Sequence, residues 1–321
     1  MIGFKKLALG SVLLIILILG VVYSFNEHLV GLDDQRFKVG TTYMTMNNRF
    51  YQALHAEIEK KVNAEDGVLY TRDPALDIDK QIEQINSFIA KGVDVIILNP
   101  VDSRDQGLIE VVQKAKHQGI AIIVVDSELK DSSMVDSTIV SDNYQAGVLA
   151  AEDMMATKES ARILLLEHSD TQSGTQRIQG FVDTISGHDS YQVVARRESL
   201  GQTEVAMPQV EELLSGGLNF DVIMALNDQA AIGALAALKK HQVTSPVLIY
   251  GVDGSPDMKQ ILASSSDVQG TVAQSPIAMG QKAVEIANKL HQGQIVDKHI
   301  TIPVQLLTKS MADQIDKNGW Q

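Results

Sequence analysis

Lys38-Val-Gly-Thr-Thr-Tyr-Met-Thr-Met-Asn-Asn-Arg-Phe-Tyr51 is an apolar run that ends in amides and aromatics where a helical pattern begins. Val39–Met44 reads as a buried strand, and Phe50–Val62 as the amphipathic helix that follows it. In an open α/β sheet, ligands bind in the crevice outside the carboxyl ends of the strands. Met44 to Tyr51 sits at such an end, and Asn99, Asp126, Asn227 and Asp253 end four further apolar runs. A small molecule with many hydroxyls is what such donors and acceptors can grip.

The alternation continues outward from this stretch. Val93–Leu98, Ala121–Val125, Arg162–Leu166, Val222–Leu226 and Val247–Tyr250 are short runs rich in Val and Ile, the pattern of strands buried on both faces. Helical periodicity fills the intervals, over Ile78–Ala90, Gln106–His117, Gln145–Met155, Gln176–Ile185, Val205–Leu214, Gln229–Lys239 and Ile277–Leu290. Strand–helix alternation predicts parallel sheets covered by helices on both faces. About ten strands exceed one tidy sheet in a chain of this length, so two sheets are expected. The chain is expected to pass between them near Thr138–Asn143, where Ser137–Val140 runs into Ser-Asp-Asn, and again at Thr271–Ser275.

Composition narrows the function. The 321 residues are 45% hydrophobic and 21% charged, enough for about two ordinary domains. A net charge of −13 lacks the basic footprint of a nucleic-acid binder. With no cysteine, disulfides, thiolate metal sites, a cysteine nucleophile and a lipidated cysteine are excluded. Asp77-Ile-Asp79 is too sparse for a calcium loop, and neither metal nor cofactor is expected.

Residues 1–24 read as a signal sequence or membrane anchor. Lys5 and Lys6 precede an uncharged apolar run, Leu7–Tyr23. Val22-Tyr23-Ser24 is a passable cleavage site. The run is also near the lower limit of about 17 residues for a spanning helix, and no Ala-x-Ala is present, so an uncleaved anchor stays open. Either way the lysines remain inside, placing the rest in the periplasm or on the outer face of the cytoplasmic membrane. Residues 25–37 are a polar spacer.

An ordered set of motifs then resembles one family. They are Met46-Asn-Asn-Arg-Phe-Tyr51, Ile97-Leu-Asn-Pro-Val-Asp-Ser103, Val124-Val-Asp-Ser127, Ser141-Asp-Asn143 and Gly174-Thr-Gln-Arg177 before Gly180-Phe181. Leu226-Asn-Asp228 with Ile232-Gly-Ala-Leu235, Gly251-Val-Asp-Gly254 and Thr271-Val-Ala-Gln-Ser275 complete the set. In order and spacing, from Lys38 to Thr308, the chain resembles the type I periplasmic sugar-binding proteins, in their ribose-binding branch. The resemblance implies an α/β protein of two doubly wound parallel-sheet lobes joined by a three-strand hinge. One lobe would comprise residues 38–139 and 274–300, the other 140–273 and 301–321. It further implies a monomer that closes on a sugar or polyol. Its partner would be an ABC importer's permease or, as a tethered sensor, a histidine kinase or chemoreceptor.

Phe50 and Tyr51 are candidates to stack on the apolar face of a sugar ring, with helix-core packing as the alternative. Asp126 and Asp253 are candidates to bridge neighbouring hydroxyls, against the alternative of capping a following helix. Arg177 resembles the family's sugar-binding arginine, whose rigid fork of donors suits a ring oxygen and its neighbour. Asn48, Asn99, Ser127, Asn227 and Gln274 complete the expected contacts, while Asn47, Asn143 and Asp228 read as turn or cap residues. Ser127 stands where the ribose branch has a second arginine, and Val252 and Gly201 fall where it has aromatic rings. A larger or differently substituted sugar or polyol is therefore expected in place of ribose.

Two other classes fit less well. A ligand-responsive transcription regulator of the lactose-repressor type needs a basic helix-turn-helix where this chain has an apolar segment. An enzyme is not expected, since no His-Glu-x-x-His, Gly-x-Ser-x-Gly or Gly-x-x-x-x-Gly-Lys motif is present. His168 reads as a loop or rim residue. Asp126 and Asp253 as a glycosidase pair would be unusual on a doubly wound fold.

Overall fold

The computed structural model describes residues 36–312 and 314–320. The expected signal or anchor, and most of the spacer, lie outside these residues. No described helix is long and apolar enough to cross a membrane.

The first sheet contains β1 (Lys38–Thr42), β2 (Val68–Arg72), β3 (Val95–Leu98), β4 (Ala121–Val125), β5 (Ser137–Ser141) and β11 (His299–Ile302), in the order β11-β5-β4-β3-β1-β2. All its pairings are parallel. The second contains β6 (Ala161–Glu167), β7 (Tyr191–Glu198), β8 (Val222–Ala225), β9 (Leu248–Asp253), β10 (Val268–Ala273) and β12 (Gln305–Thr308), in the order β12-β10-β9-β8-β6-β7. Only β12, an edge strand, runs antiparallel to its neighbour.

Helices α1 (Arg49–Ala64), α2 (Ile78–Ala90), α3 (Gln106–His117) and α9 (Pro276–His291) cover the first sheet. Helices α4 (Asn143–Thr157), α5 (Gln172–Ile185), α6 (Thr203–Ser215), α7 (Asp228–Lys240) and α8 (Pro256–Ser264) belong to the second. The chain passes between the lobes three times: after β5, after β10, and between β11 and β12.

The central strands match the unbroken apolar runs because both faces are buried, as in β3 and β8. The edge strands β2, β7, β11 and β12 carry exposed or half-exposed residues and show no such run. The first lobe packs Ile85, Phe88, Ile96, Leu98, Val112 and Val124 under its helices. The second has a core on each face of its sheet, one around Ala206, Ile223, Ala234 and Leu262, the other around Ala150, Ile163, Phe181 and Val252.

One close approach bears directly on the site. A Cβ at Gly147 in α4 would overlap the Arg177 carbonyl of α5, and one at Gly180 would overlap that of Tyr144. Glycine at both positions lets the two helices touch backbone to backbone, which fixes where Arg177 starts from.

Candidate functional site

Each wall of the interlobe cleft is built from junctions between a strand and the following helix. Asn48 caps α1, its side chain accepting from Phe50 N at 2.8 Å. That cap starts the helix with Phe50 and Tyr51 in its first turn, edge to face at 5.5 Å and both buried on the cleft wall. Asp126 follows β4 with φ +64°, and Asp253 ends β9 with φ +140°. A positive φ is costly for a residue with a side chain, so each carboxylate is held in place by its surroundings. The helix after Asp253 is capped by Ser255, which accepts from Met258 N, so the capping alternative for Asp253 is not what the structure shows.

Asn48, Phe50, Tyr51, Asp126, Arg177, Asn227 and Asp253 line one cleft. The space between its walls, counted to the mouth of the cleft, is about 360 Å³. The lobes are thus drawn together over a narrow gap. Asn47 Nδ2 donates to Glu204 Oε1 at 2.9 Å, Arg49 pairs with Asp257 at 3.0 Å, and Arg104 with Asp170 at 2.8 Å. Asn47 is therefore a bridge between lobes as well as a turn residue.

Asn99, Ser127 and Gln274 stand behind the wall instead of on it. Asn99 accepts from Met44 N at 3.1 Å and donates to Val125 O at 3.1 Å, tying the ends of β1 and β4 together. Ser127 Oγ accepts from Ser173 N at 3.2 Å, a neutral bond across the lobes. Gln274 Oε1 accepts from Arg177 Nη2 at 3.1 Å, and its Nε2 donates to Asp253 Oδ1 at 2.8 Å.

Arg177 is 3% exposed, so it is not the surface arginine of the alternative reading. Its Nε donates to Asn143 Oδ1 at 2.8 Å and its Nη1 to Leu226 O at 3.1 Å, while Nη2 lies 3.5 Å from Asp126 Oδ1. Asn143, expected as a turn or cap residue, thus aims the guanidinium. Asp126 Oδ2 accepts from Tyr51 Oη at 2.9 Å and Asn99 Nδ2 at 3.4 Å. Burial pushes the Asp126 carboxyl above its usual range, and the Arg177 charge opposes that.

Asp253 is pushed well above the usual range, by burial first and then by the negative charge of Asp228. Asp228 itself accepts from Thr271 Oγ1 at 2.6 Å and Ser255 N at 2.8 Å. Buried beneath the wall, it staples the loop after β9 and has its carboxyl raised to about 6, mainly by burial. Burial lowers the pKa of His168, against the pull of Asp170, Glu198 and Asp102, and the ring is on the wall and not at an exposed rim.

Met44, Thr171, Ser173, Leu200, Gly201, Gln202 and Leu226 also line the cleft and were not among the expected contacts. Thr171 and Gln202 are the N-caps of α5 and α6, a signal readable in the sequence as polar residues opening helices after strands. Of the two lost aromatics, Val252 lies in the core, whereas Gly201 is on the wall with φ +64°. A Cβ at Gly201 would sit 2.9 Å from Asn227 Nδ2, which donates to the Gly201 carbonyl at 3.0 Å. Among the described residues no group of three or more His, Asp or Glu is arranged to hold a metal ion.

The profile of the periplasmic binding protein domain matches residues 39–295. The ribose import binding protein RbsB of Bacillus subtilis is 30% identical over 282 residues, covering 86% of this chain and 89% of that protein. A D-apiose import binding protein of Paraburkholderia graminis is 30% identical over 245 residues, 75% of this chain and 77% of its own. Among solved structures, the binding component of the arabinose ABC transporter from Shewanella, bound to L-arabinofuranose, superposes with a TM-score of 0.80 at 25% identity. That match covers 86% of this chain and 93% of the other.

Proposed function

We propose, from the premise that this chain belongs to the periplasmic binding protein family, that it captures a sugar or polyol in its interlobe cleft and delivers it to an ABC importer. Its two parallel-sheet lobes are the type I fold of that family, and its relatives are import binding proteins, so it is a binding protein and not an enzyme. The observation that carries the ligand class is the wall itself. Two aromatic rings, two carboxylates and a guanidinium converge from both lobes on one gap.

In this reading the apolar face of a sugar ring lies against Phe50 and Tyr51, while its hydroxyls donate to Asp126 and Asp253 and accept from Arg177. The two walls come from different lobes, so a ligand bonded to both favours the closed form and biases the hinge toward it. An analogue lacking a hydroxyl leaves a buried acceptor unpaired, which is the source of selectivity. Closure changes the outer surface that a permease reads. The neutral Ser127 bridge supports a ligand other than ribose.

The protein works outside the cytoplasmic membrane, in the periplasm. Left uncleaved, Leu7–Tyr23 would tether the monomer to the outer face, where it serves a neighbouring permease or a sensor kinase. The test is a thermal-shift screen of the full-length protein in detergent against monosaccharides and polyols, since a ligand bound only by the native state raises Tm. Failure of the whole panel to raise Tm overturns the reading. Tight binding of ribose with no binding of hexoses or polyols overturns the expectation about ligand size.

A further inference from the structure

Pairing the buried charges around the cleft leaves one carboxylate over. Asp126 faces Arg177 at 3.5 Å and accepts from Tyr51 and Asn99. Asp228, one layer behind, has two hydrogen-bond donors and feels the buried ammonium of Lys259. Asp253 is 4% exposed, lies on the wall, and has a single partner, the neutral amide of Gln274 on Oδ1. Its Oδ2 accepts no hydrogen bond from any described residue.

No second cation is at hand. Arg177 is the one cationic residue on the described wall, and its Nη2 is turned to Asp126 and to Gln274 Oε1. Burial disfavours a charge on His168, and the position after Asp126 is Ser127, bonded to Ser173 N. A buried carboxylate in such a place is costly, and the negative charges of Asp228 and Asp126 add to the cost, which the Arg177 charge offsets only in part. A hydroxyl can donate to Oδ2 but leaves the charge in place. An ammonium donates to it and cancels the charge.

We infer that the cleft takes an amino-substituted sugar or cyclitol whose ammonium group meets the free Oδ2 of Asp253. This rests on the carbohydrate reading of the cleft and specifies its ligand class. The competing accommodation is a proton on Asp253, which would suit a neutral polyol.

Calorimetry on the full-length protein in detergent separates the two, using probes matched in size: D-glucosamine against D-glucose, D-galactosamine against D-galactose, and an aminodeoxyinositol against myo-inositol. The amine of at least one pair is expected to bind roughly tenfold or more tightly than its hydroxyl parent, the scale of a charge-assisted bond. The isosteric variant Asp253→Asn, with its Tm measured to establish folding, should weaken the amine far more than its hydroxyl parent and so abolish that preference. An unfolded Asp253→Asn is replaced by Gln274→Glu, which places a second carboxylate against Asp253 and should sharpen the preference. Parents that bind as well as or better than their amines, or a preference that survives Asp253→Asn, overturn the inference and leave the carbohydrate reading standing. No binding by any of these probes overturns the inference, and the thermal-shift panel then decides the carbohydrate reading.

Discussion

Arg177 Nη2 lies 3.5 Å from Asp126 Oδ1 across the two lobes, with both side chains about 5% exposed or less. Few contacts in the molecule depend so directly on closure. Opening the hinge separates the pair and lets water reach both charges.

Removing one partner should therefore show in binding more than in folding. Breaking a buried pair costs about 3–5 kcal/mol where the orphaned charge stays buried. In the unliganded Arg177→Ala variant the lobes can open and hydrate Asp126, so Tm should fall by only a few degrees. With ligand bound that escape is closed, and Kd should weaken by about 100-fold or more. Titration calorimetry with the ligand found by the thermal-shift screen checks this. An unchanged Kd would show that the two residues do not act together on the ligand.

Replacement of either wall carboxylate should weaken binding as well. Asp126→Ala and Asp253→Ala should each cost about 2 kcal/mol or more, the scale of a hydrogen bond to a charged group. Unaltered affinity in both variants would place the site elsewhere.

Acid should stabilise the closed, unliganded fold. Burial pushes the Asp228 carboxyl up to about 6 in the native state from an ordinary value of 3.8. Between those values the native state holds a proton that the unfolded chain has released. Stability therefore declines as pH rises through this window and is level above about 6, as far as this group is concerned. Asp126 and Asp253 are shifted in the same direction and add to the slope. Urea unfolding between pH 4 and 7, compared with Asp228→Asn, is the check. A slope of the opposite sign, or one identical in the variant, would contradict this account.

Trp320 is the only tryptophan in the chain and meets Phe50 edge to face at 5.9 Å. Its segment is tied down by Lys259 Nζ, which donates to the Gly319 carbonyl at 2.6 Å. Phe50 belongs to the first lobe and Lys259 to the second, so hinge opening should separate the indole from the ring and expose it to water. Ligand should shift Trp320 emission to the blue, and Lys259→Met should reduce the shift. Emission indifferent to a saturating ligand would mean that this contact does not follow the hinge.

Gly147→Ala tests how the arginine is positioned. The added methyl must push α4 from the Arg177 backbone, at a cost in the range of about 1–3 kcal/mol typical of overpacking. Asn143 and Arg177 sit on these two helices, so ligand affinity should fall along with the denaturation midpoint. A stability loss with affinity intact would separate helix packing from the site.

Interior strands such as β3 and β8 were legible because a strand covered on both faces is predominantly apolar. Ile96-Ile-Leu98 and Val222-Ile-Met-Ala225 satisfy that rule. The half-exposed edge strands Val68–Arg72 and Tyr191–Glu198 obey no such rule. Polar residues closing the apolar runs likewise marked where a ligand could sit, since strand ends in an open sheet face the crevice.

The amino-acid sequence alone thus determined two wound sheets and a set of polar strand ends able to hold a hydroxyl-rich molecule. Only the tertiary structure decided which of those groups reach the gap. Asn99 and Gln274 carry the same amide as Asn48, yet their hydrogen bonds to other strand ends hold them behind the wall. Asn143, by contrast, was drawn in by the approach of two glycine-bearing helices. Local sequence specifies what a side chain can donate or accept. Which partner it finds depends on crossings between lobes that bring together residues dozens of positions apart.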